Sequence, residues 1–493
     1  MPIKNPATVH PKYSAMELDR YVCRTLMGGT TAMREARTEF LPQEPGEDPA
    51  DYENRLARSF LYNGFKKTVV SFAGRVFDRP IRLSGSTALE EWAKNITNDG
   101  RDLTTLARDL WSTGVAEGMA FILVDYPQNP SPGSLAEERR RGLRPFMREI
   151  EPKDLIWWHW VNLDGVPKLV EVRIRESEIG DDGQTIEQIR RIFYERQTDK
   201  SYSSTLMFEV YQQGGVDAVG KAVGWQLVQS GTMIGVDKIP LVAIYFNERQ
   251  GVLQAKPPLR DLADLNIAHW QSYSDQRHIL HVARVPVLFG KCLQLKPNEK
   301  LVIGVNRSII ATSADADAKY IAAPSEPINA GKDDLVETER RMDAMGVQLM
   351  LDRRPGSETA TGRAIDKAQE ESALQFMAGS LRAGLTDAVR LMNEWDGHPE
   401  QEFELVMNST FDLVSFDASE VEQLSKARER GDISRETWWS EALRRSILRD
   451  DFDPEEEKKR LEEEEEEATR RGLEMMRQQQ ALSTDEEEEE EES

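Results

Sequence analysis

Apolar residues recur at steps of three and four in three stretches between Leu259 and Trp395, and the rest of the chain is organised around the helices they predict. The first stretch, PPLRDLADLNIAHWQSYSDQRHILHVARVP, opens on Pro257-Pro258, which suits a first turn whose N–H groups have no helical partner. Leu259, Leu262, Leu265, Trp270 and Tyr273 form its apolar side, and Arg284-Val285-Pro286 closes it. The second, DDLVETERRMDAMGVQLML, puts Leu335, Met342, Met345 and Leu349 on one stripe. Between the two, from Val285 to Lys332, the short apolar runs VPVLFG, KLVIGV and SIIATS read as strands. Pro355 and Gly356 in DRRPGSETATG then forbid helix. Periodicity resumes near Gly362 through Ile365, Ala368, Leu374, Met377, Leu381, Leu385, Val389, Met392 and Trp395. The pattern predicts a helical hairpin with a β insertion at its tip, each arm about 30–38 Å long at ~1.5 Å per residue. A single apolar stripe per arm leaves much polar surface, so other chains are expected to complete the packing. An ordinary helical core with a β-hairpin excursion fits the same pattern.

Before this region, Leu18, Val22 and Leu26 predict a helix over Tyr13 to Leu26, stopped by Gly28-Gly29. A second helix is predicted over Asp51 to Phe77, and two more between Ala88 and Met119 with Asn98-Asp99-Gly100 as the break. AFILVDYP reads as a buried strand. Residues 145–250 switch to strand-like runs (LIWWHWVN, KLVEVRIRE, QIRRIFYER, LMFEVYQQ, GWQLVQSG, PLVAIYFN) separated by polar turns, which predicts an antiparallel β domain. Trp157, Trp158 and Trp160 lack interleaved basic residues, so they are read as core or interface and not as base-stacking platforms. After Trp395 come one or two strands in QEFELVMNSTFDLVSF. Two short helices about Gly431-Asp432 follow, with Asp432, Ser434 and Glu436 at the second start, and last a Glu-rich charged helix.

Length changes this picture by implying two or three domains, since 493 residues exceed one core. No run approaches 18 apolar residues, so no membrane span is predicted, and MPIKNPATVHPKYSAM lacks the apolar stretch of a signal peptide. Cys23 and Cys292 are the only cysteines, which points to a reducing compartment and excludes a disulfide framework. The net charge of −24 argues against a protein that wraps nucleic acid by neutralising phosphates.

Catalytic signatures are missing. The chain has neither G-x-x-x-x-G-K-[ST] nor G-x-S-x-G. His278 and His281, with Asp275 one turn earlier and His269 nearby, give the spacing of a metal pair, but H-E-x-x-H is absent and polar helix-face histidines account for them. Asp450, Asp451 and Asp453 lack the glycine and closing glutamate of a calcium loop. No enzyme activity, cofactor or metal is expected.

The order and spacing of LPQEPGEDPADYENRLARSFLYNGFKKTVVSFAGRVFDRPI, AEGMAFILVDYP, PPLRDLADLNIAHWQSYSDQRHILHVARVPVLF, GSETATGRAIDKAQEESALQFMAGSLRAGLTDAVRLMNEW and RGDISRETWWSEALRR resemble the portal protein of tailed bacteriophages, the head-tail connector ring through which DNA is packaged and ejected. The resemblance extends over most of residues 40–450 and implies an α+β portal fold with wing, helical stem, β-containing clip, channel loop, long wing helix and helical crown. The wing would take 1–258, stem helix 1 259–283, the clip 284–331, stem helix 2 332–351 and the channel loop 352–361. The long wing helix and return strands would take 362–416, the crown helices 417–477, and an acidic disordered tail 478–493.

It further implies a 12-subunit homo-oligomer at the capsid vertex of a virion, assembled in the host cytoplasm. The partners would be the large terminase, which hydrolyses ATP, a head-tail adaptor, major capsid and scaffold proteins, and double-stranded DNA held without sequence specificity; no membrane is involved. A dozen copies would carry about −288 formal charges, and a channel wall of DNA's own sign lets a duplex slide. Arg353 and Arg354 are candidate phosphate contacts in the channel loop, with Ser357, Thr359 and Thr361 as neutral hydrogen-bonding groups; a surface turn is the plainer alternative. Lys291, Lys296 and Lys300 are candidate clip contacts for motor or adaptor. The rival reading is a cytoplasmic scaffold or adaptor whose acidic helical tail binds a basic partner.

Overall fold

The computed structural model of the chain describes residues 3, 5–127, 137, 140–141, 143–163, 165–180, 183–198, 201–214, 224–284, 287–291, 313, 315–321, 325–347, 360–407, 418–444, 448 and 452–471. It has two units, Met1–Phe411 and Asp412–Ser493. Helix and sheet are both abundant in the first, so the class is α+β.

In the first unit, α1 (Pro11–Ala36), α2 (Pro49–Arg58), α3 (Gly64–Val76), the short strand β1 (Arg82–Ser84), α4 (Thr87–Ala93) and α5 (Leu103–Glu117) precede β2 (Met119–Asp125). Polar caps set the starts: Asp48 accepts from Ala50 N at 2.8 Å, Asn63 from Lys66 N at 2.8 Å and Asp102 from Thr105 N at 2.6 Å. The Asn63 cap corrects one expectation. Asp51 to Phe77 is two helices, because the chain turns between Ser59 and Asn63 and starts afresh. Gly28-Gly29 is likewise a kink and not a stop: Gly29 leaves the helix at φ 75°, after which α1 resumes and buries Met33.

Every residue of β2 is buried, and the reason is its place between two cores. Ala120, Ile122 and Val124 join the helical core with Trp111, Phe65, Trp270 and Leu385. Met119, Phe121 and Leu123, on the opposite face, join Trp158, Val172, Ile192 and Leu206. Alternation along a strand thus gives a continuous apolar run when both faces are covered. β2 is the centre of a three-stranded antiparallel sheet, between β3 (Phe146–Ile150) and β9 (Leu241–Tyr245). The segment 145–250 therefore feeds two sheets. Its middle forms the second, β4 (Leu155–Leu163), β5 (Val166–Ile179), β6 (Thr185–Thr198), β7 (Ser201–Gln213) and β8 (Trp225–Met233), paired antiparallel in that order. Arg190 of β6 ties the sheets together, reaching Asp125 at 2.7 Å and Glu176 at 3.1 Å. Trp158 is buried under a stacked His10, while Trp160 is exposed, so the tryptophans divide between core and surface.

A small hairpin, β10 (Arg249–Gly251) with β11 (Gln254–Ala255), leads to α6 (Arg260–Ala283), β12 (Val287–Lys291), β13 (Asp317–Ile321), α7 (Ser325–Val347) and α8 (Ala360–Trp395). β14 (Glu404–Val406) returns to pair with β1. α8 spans 36 residues and packs on β9 so closely that a Cβ on Gly384 would stand 2.4 Å from Ile244 Cγ1.

The second unit has α9 (Ala418–Glu429), a turn with Gly431 at φ 80°, α10 (Arg435–Arg444) and α11 (454–471). Ser434 Oγ accepts from Thr437 N at 3.0 Å, the capping expected there, and Trp439 meets the Phe452 ring edge-on at 5.6 Å. The acidic tail after 471 lies outside the described residues.

Candidate functional site: a helical hairpin and its seat

α6 and α7 are the arms of an antiparallel hairpin. Gln276 Nε2 donates to Ile328 O at 2.8 Å, and nearer the root His269 Nε2 lies 3.2 Å from Glu339 Oε1. α7 begins at Ser325, inside the stretch expected to be insertion up to Gly331. The reason is contact: a Cβ on Gly331 would stand 2.2 Å from Gln276 Oε1, so this glycine lets the arms close and does not end the β insertion. At the far end β12 and β13 pair from Val287↔Ile321 to Lys291↔Asp317.

The root of the hairpin sits on α1, α2 and α3 through buried polar contacts. Asn266, fully buried, accepts Phe65 N–H at 3.0 Å and donates to Tyr62 O at 2.8 Å, so one amide satisfies two backbone groups at the start of α3. Ser274 Oγ lies 2.8 Å from Ser59 Oγ, which donates to Arg55 O. Arg55, 4% exposed, grips Glu47 through Nε at 2.7 Å and a terminal nitrogen at 2.8 Å. That second nitrogen also donates to Pro42 O at 2.7 Å, while the other lies 3.8 Å from Asp275. The bond to Glu47 raises the guanidinium's pKa and holds the Glu47 carboxyl below its ordinary value, whereas burial pushes Asp275 up. His269 is buried between the rings of Tyr62 and Tyr273; burial lowers its pKa against the pull of Glu339 and Asp334. Gln271 donates to Phe40 O at 3.0 Å, Arg260 pairs with Asp19 at 3.0 Å, and Lys67 with Asp343 at 3.1 Å.

The arms together carry nine acidic against five basic side chains. Asp261, Asp264, Asp275, Glu326, Asp333, Asp334 and Glu337 are exposed.

Of the residues singled out in the sequence, Lys291 is exposed at the end of β12, opposite Asp317. Thr361 falls in the first turn of α8. Arg353, Arg354, Ser357, Thr359, Lys296 and Lys300 lie outside the described residues. His278 is half-buried and His281 exposed; among the described residues no group of three His, Cys, Asp or Glu side chains is placed to hold a metal ion. Asn266, Ser274 and Arg55 were missed. The available signal was a polar residue at four-residue spacing on the buried face of α6, in the series Leu262, Asn266, Trp270, Ser274.

Residues 258–396, two residues before α6 to one past α8, match a family described as a domain of unknown function (DUF4055). No curated protein matches the chain. Among solved structures it is similar to a chain titled as the neck of an empty GTA particle computed with C6 symmetry, at 13% identity and TM-score 0.40, over 76% of this chain and 87% of that one. A chain from the virion of a native gene transfer agent (GTA) particle gives 14% and 0.40, over 83% and 97%. The neck of the native GTA particle computed with C12 symmetry gives 14% and 0.39, over 82% and 96%.

Proposed function

We propose that this chain is a portal-type ring subunit, a structural protein that surrounds the channel through which double-stranded DNA enters and leaves a tailed-phage-like capsid. One observation carries the reading. An antiparallel hairpin, α6 and α7, bears a strand-containing insertion at its far end and is held at its root by buried side chains. A 36-residue helix then follows it and packs through the core. Stem, clip and long wing helix occur in that order in the family the sequence resembles, and no enzyme site is needed to account for them.

On this reading α6 and α7 are the stem, residues 284–324 the clip, the stretch from 352 to the start of α8 the channel loop, α8 the wing helix, and 417–477 the crown. The acidic excess of the arms repels phosphate, which keeps a duplex mobile beside them. Arg353 and Arg354 are proposed as weak phosphate contacts, with Ser357, Thr359 and Thr361 beside them. Lys291, Lys296 and Lys300 are proposed to meet the terminase motor or tail adaptor. ATP hydrolysis would belong to that terminase.

The test is the mass and symmetry of the purified protein by light scattering and negative-stain imaging. A ring of about twelve 56.1 kDa subunits with an axial hole about as wide as a duplex (~20 Å) is expected. A monomer or dimer at every salt concentration favours the adaptor reading, and a closed particle without a hole overturns the portal.

A further inference from the structure

The segment before α1 reaches from β7 to β4 of the five-stranded sheet and is hydrogen-bonded to it at its two ends. At one end Ile3 N donates to the Tyr211 hydroxyl at 3.2 Å; that hydroxyl donates to Glu209 at 2.7 Å, and Arg191 holds Glu209 at 3.0 Å. At the other end His10 N donates to Ile156 O at 2.8 Å. Among the described residues these are the segment's only hydrogen bonds to the sheet. Between them Asn5 closes a turn on its own neighbours: its side chain accepts Ala7 N–H at 3.1 Å and its carbonyl accepts the Thr8 hydroxyl at 3.0 Å. The His10 ring does the rest. It stacks on Trp158 at 4.0 Å, meets Trp157 edge-on at 5.5 Å, and its Nδ1 accepts Lys12 N–H at 3.1 Å as the cap of α1. Nδ1 can accept only while it carries no proton.

We infer that the segment before α1 is an acid-released strap: neutral His10 fastens it to the end strand of the sheet, and a proton on Nδ1 frees it while the sheet beneath stays folded. The proton turns the capping acceptor into a donor that faces the Lys12 N–H. It also sets a charge where none is balanced. Lys12 of α1 and His159 of β4 face the ring, and Arg173 of β5 lies over Trp157 at 4.7 Å, bridged to Glu171 at 2.8 Å. Among the described residues no carboxylate pairs with His10. Burial, then His159 and Lys12, lower its pKa below 6.5, so the neutral ring is the fastened form. Attachment is complete above pH 6.5 and is lost as pH falls through the lower folded value. Release uncovers Trp158 and Tyr211, which are 1% and 2% exposed with the strap in place, and frees Ile156 O at the edge of β4. The inference stands apart from the ring reading.

The experiment is amide hydrogen exchange of the full chain between pH 8 and pH 5, read by mass spectrometry with labelling times scaled to the intrinsic rate at each pH. In the parent, the peptide covering Asn5–Lys12 is expected to be protected at pH 8. Below the folded pKa that protection should fall by up to about tenfold per pH unit, the limit for one proton, while peptides from β6 stay protected. His10→Asn supplies a capping acceptor that does not titrate and is expected to hold its pH 8 protection at pH 5. His10→Ala is expected to leave the peptide unprotected at both. Parent protection unchanged at pH 5, protection in His10→Ala equal to the parent's at pH 8, or a fall in His10→Asn parallel to the parent's overturns the inference; the last would assign the step to another group, such as Glu209 at the far end.

Discussion

Asn266 and Phe65 stand 201 residues apart in sequence, and the side-chain oxygen of one accepts the backbone N–H of the other at 3.0 Å. The contact joins the hairpin to the N-terminal helices at the first turn of α3, where N–H groups have no helical partner.

Asn266→Leu is expected to leave Phe65 N–H and Tyr62 C=O unsatisfied in the core. Each group costs about 1–3 kcal/mol. Urea unfolding should show the midpoint falling well below that of the parent, while Asp261→Asn on the exposed side of α6 stays within about 0.5 kcal/mol.

Arg55→Met is expected to destabilise by about 1–3 kcal/mol, because the half-buried Glu47 carboxylate and Pro42 O lose their hydrogen-bond donor. The same pair gives a pH signature. Glu47 titrates below its ordinary value of 4.5 in the folded chain, so its contribution is complete above 4.5 and is lost as pH falls through the lower folded value. Glu47→Gln should flatten that part of the acid limb; an unchanged slope would remove the pair from the account.

His269 has the opposite chemistry and the same sign. Burial lowers its pKa below 6.5, and its buried Nδ1 has no hydrogen-bond partner among the described residues. The neutral ring is therefore the folded form. Its stability contribution is complete above pH 6.5 and declines as pH falls towards the folded pKa, where protonation strands an N–H. Thermal melts between pH 8 and 5 should show His269→Gln losing less stability than the parent over that interval.

Gly118 caps α5 at φ 85°, and a Cβ there would stand 2.3 Å from Lys256 O, a backbone atom that cannot swing away. Gly118→Ala is expected to cost about 2–4 kcal/mol, from left-handed strain together with overpacking. Gly165→Ala, also at positive φ but with open space around it, should cost only the strain. Comparing the two melts separates the terms.

Periodicity by itself determined that α6, α7 and α8 exist and that α8 ends at Trp395, since a stripe of apolar side chains repeating at three and four has one way to be buried. It also determined that β2 is a buried strand and that residues 145–250 are β-rich, because alternation and turn residues are local properties. The tertiary structure decided what no local pattern contains. Gly331, which reads as a boundary, lies inside α7, where the missing side chain lets Gln276 of α6 come close. Gly29 bends α1 without ending it, because Met33 beyond the bend has a core to enter. The strands of 145–250 divide between two sheets, because β2 offers both of its edges to β3 and β9. Asn266, Ser274 and Arg55, polar residues that a sequence places at the surface, are buried because each finds its partner up to 219 residues away. Local spacing selects an element; only a distant chain segment arriving at hydrogen-bond distance decides which polar group can be taken from water.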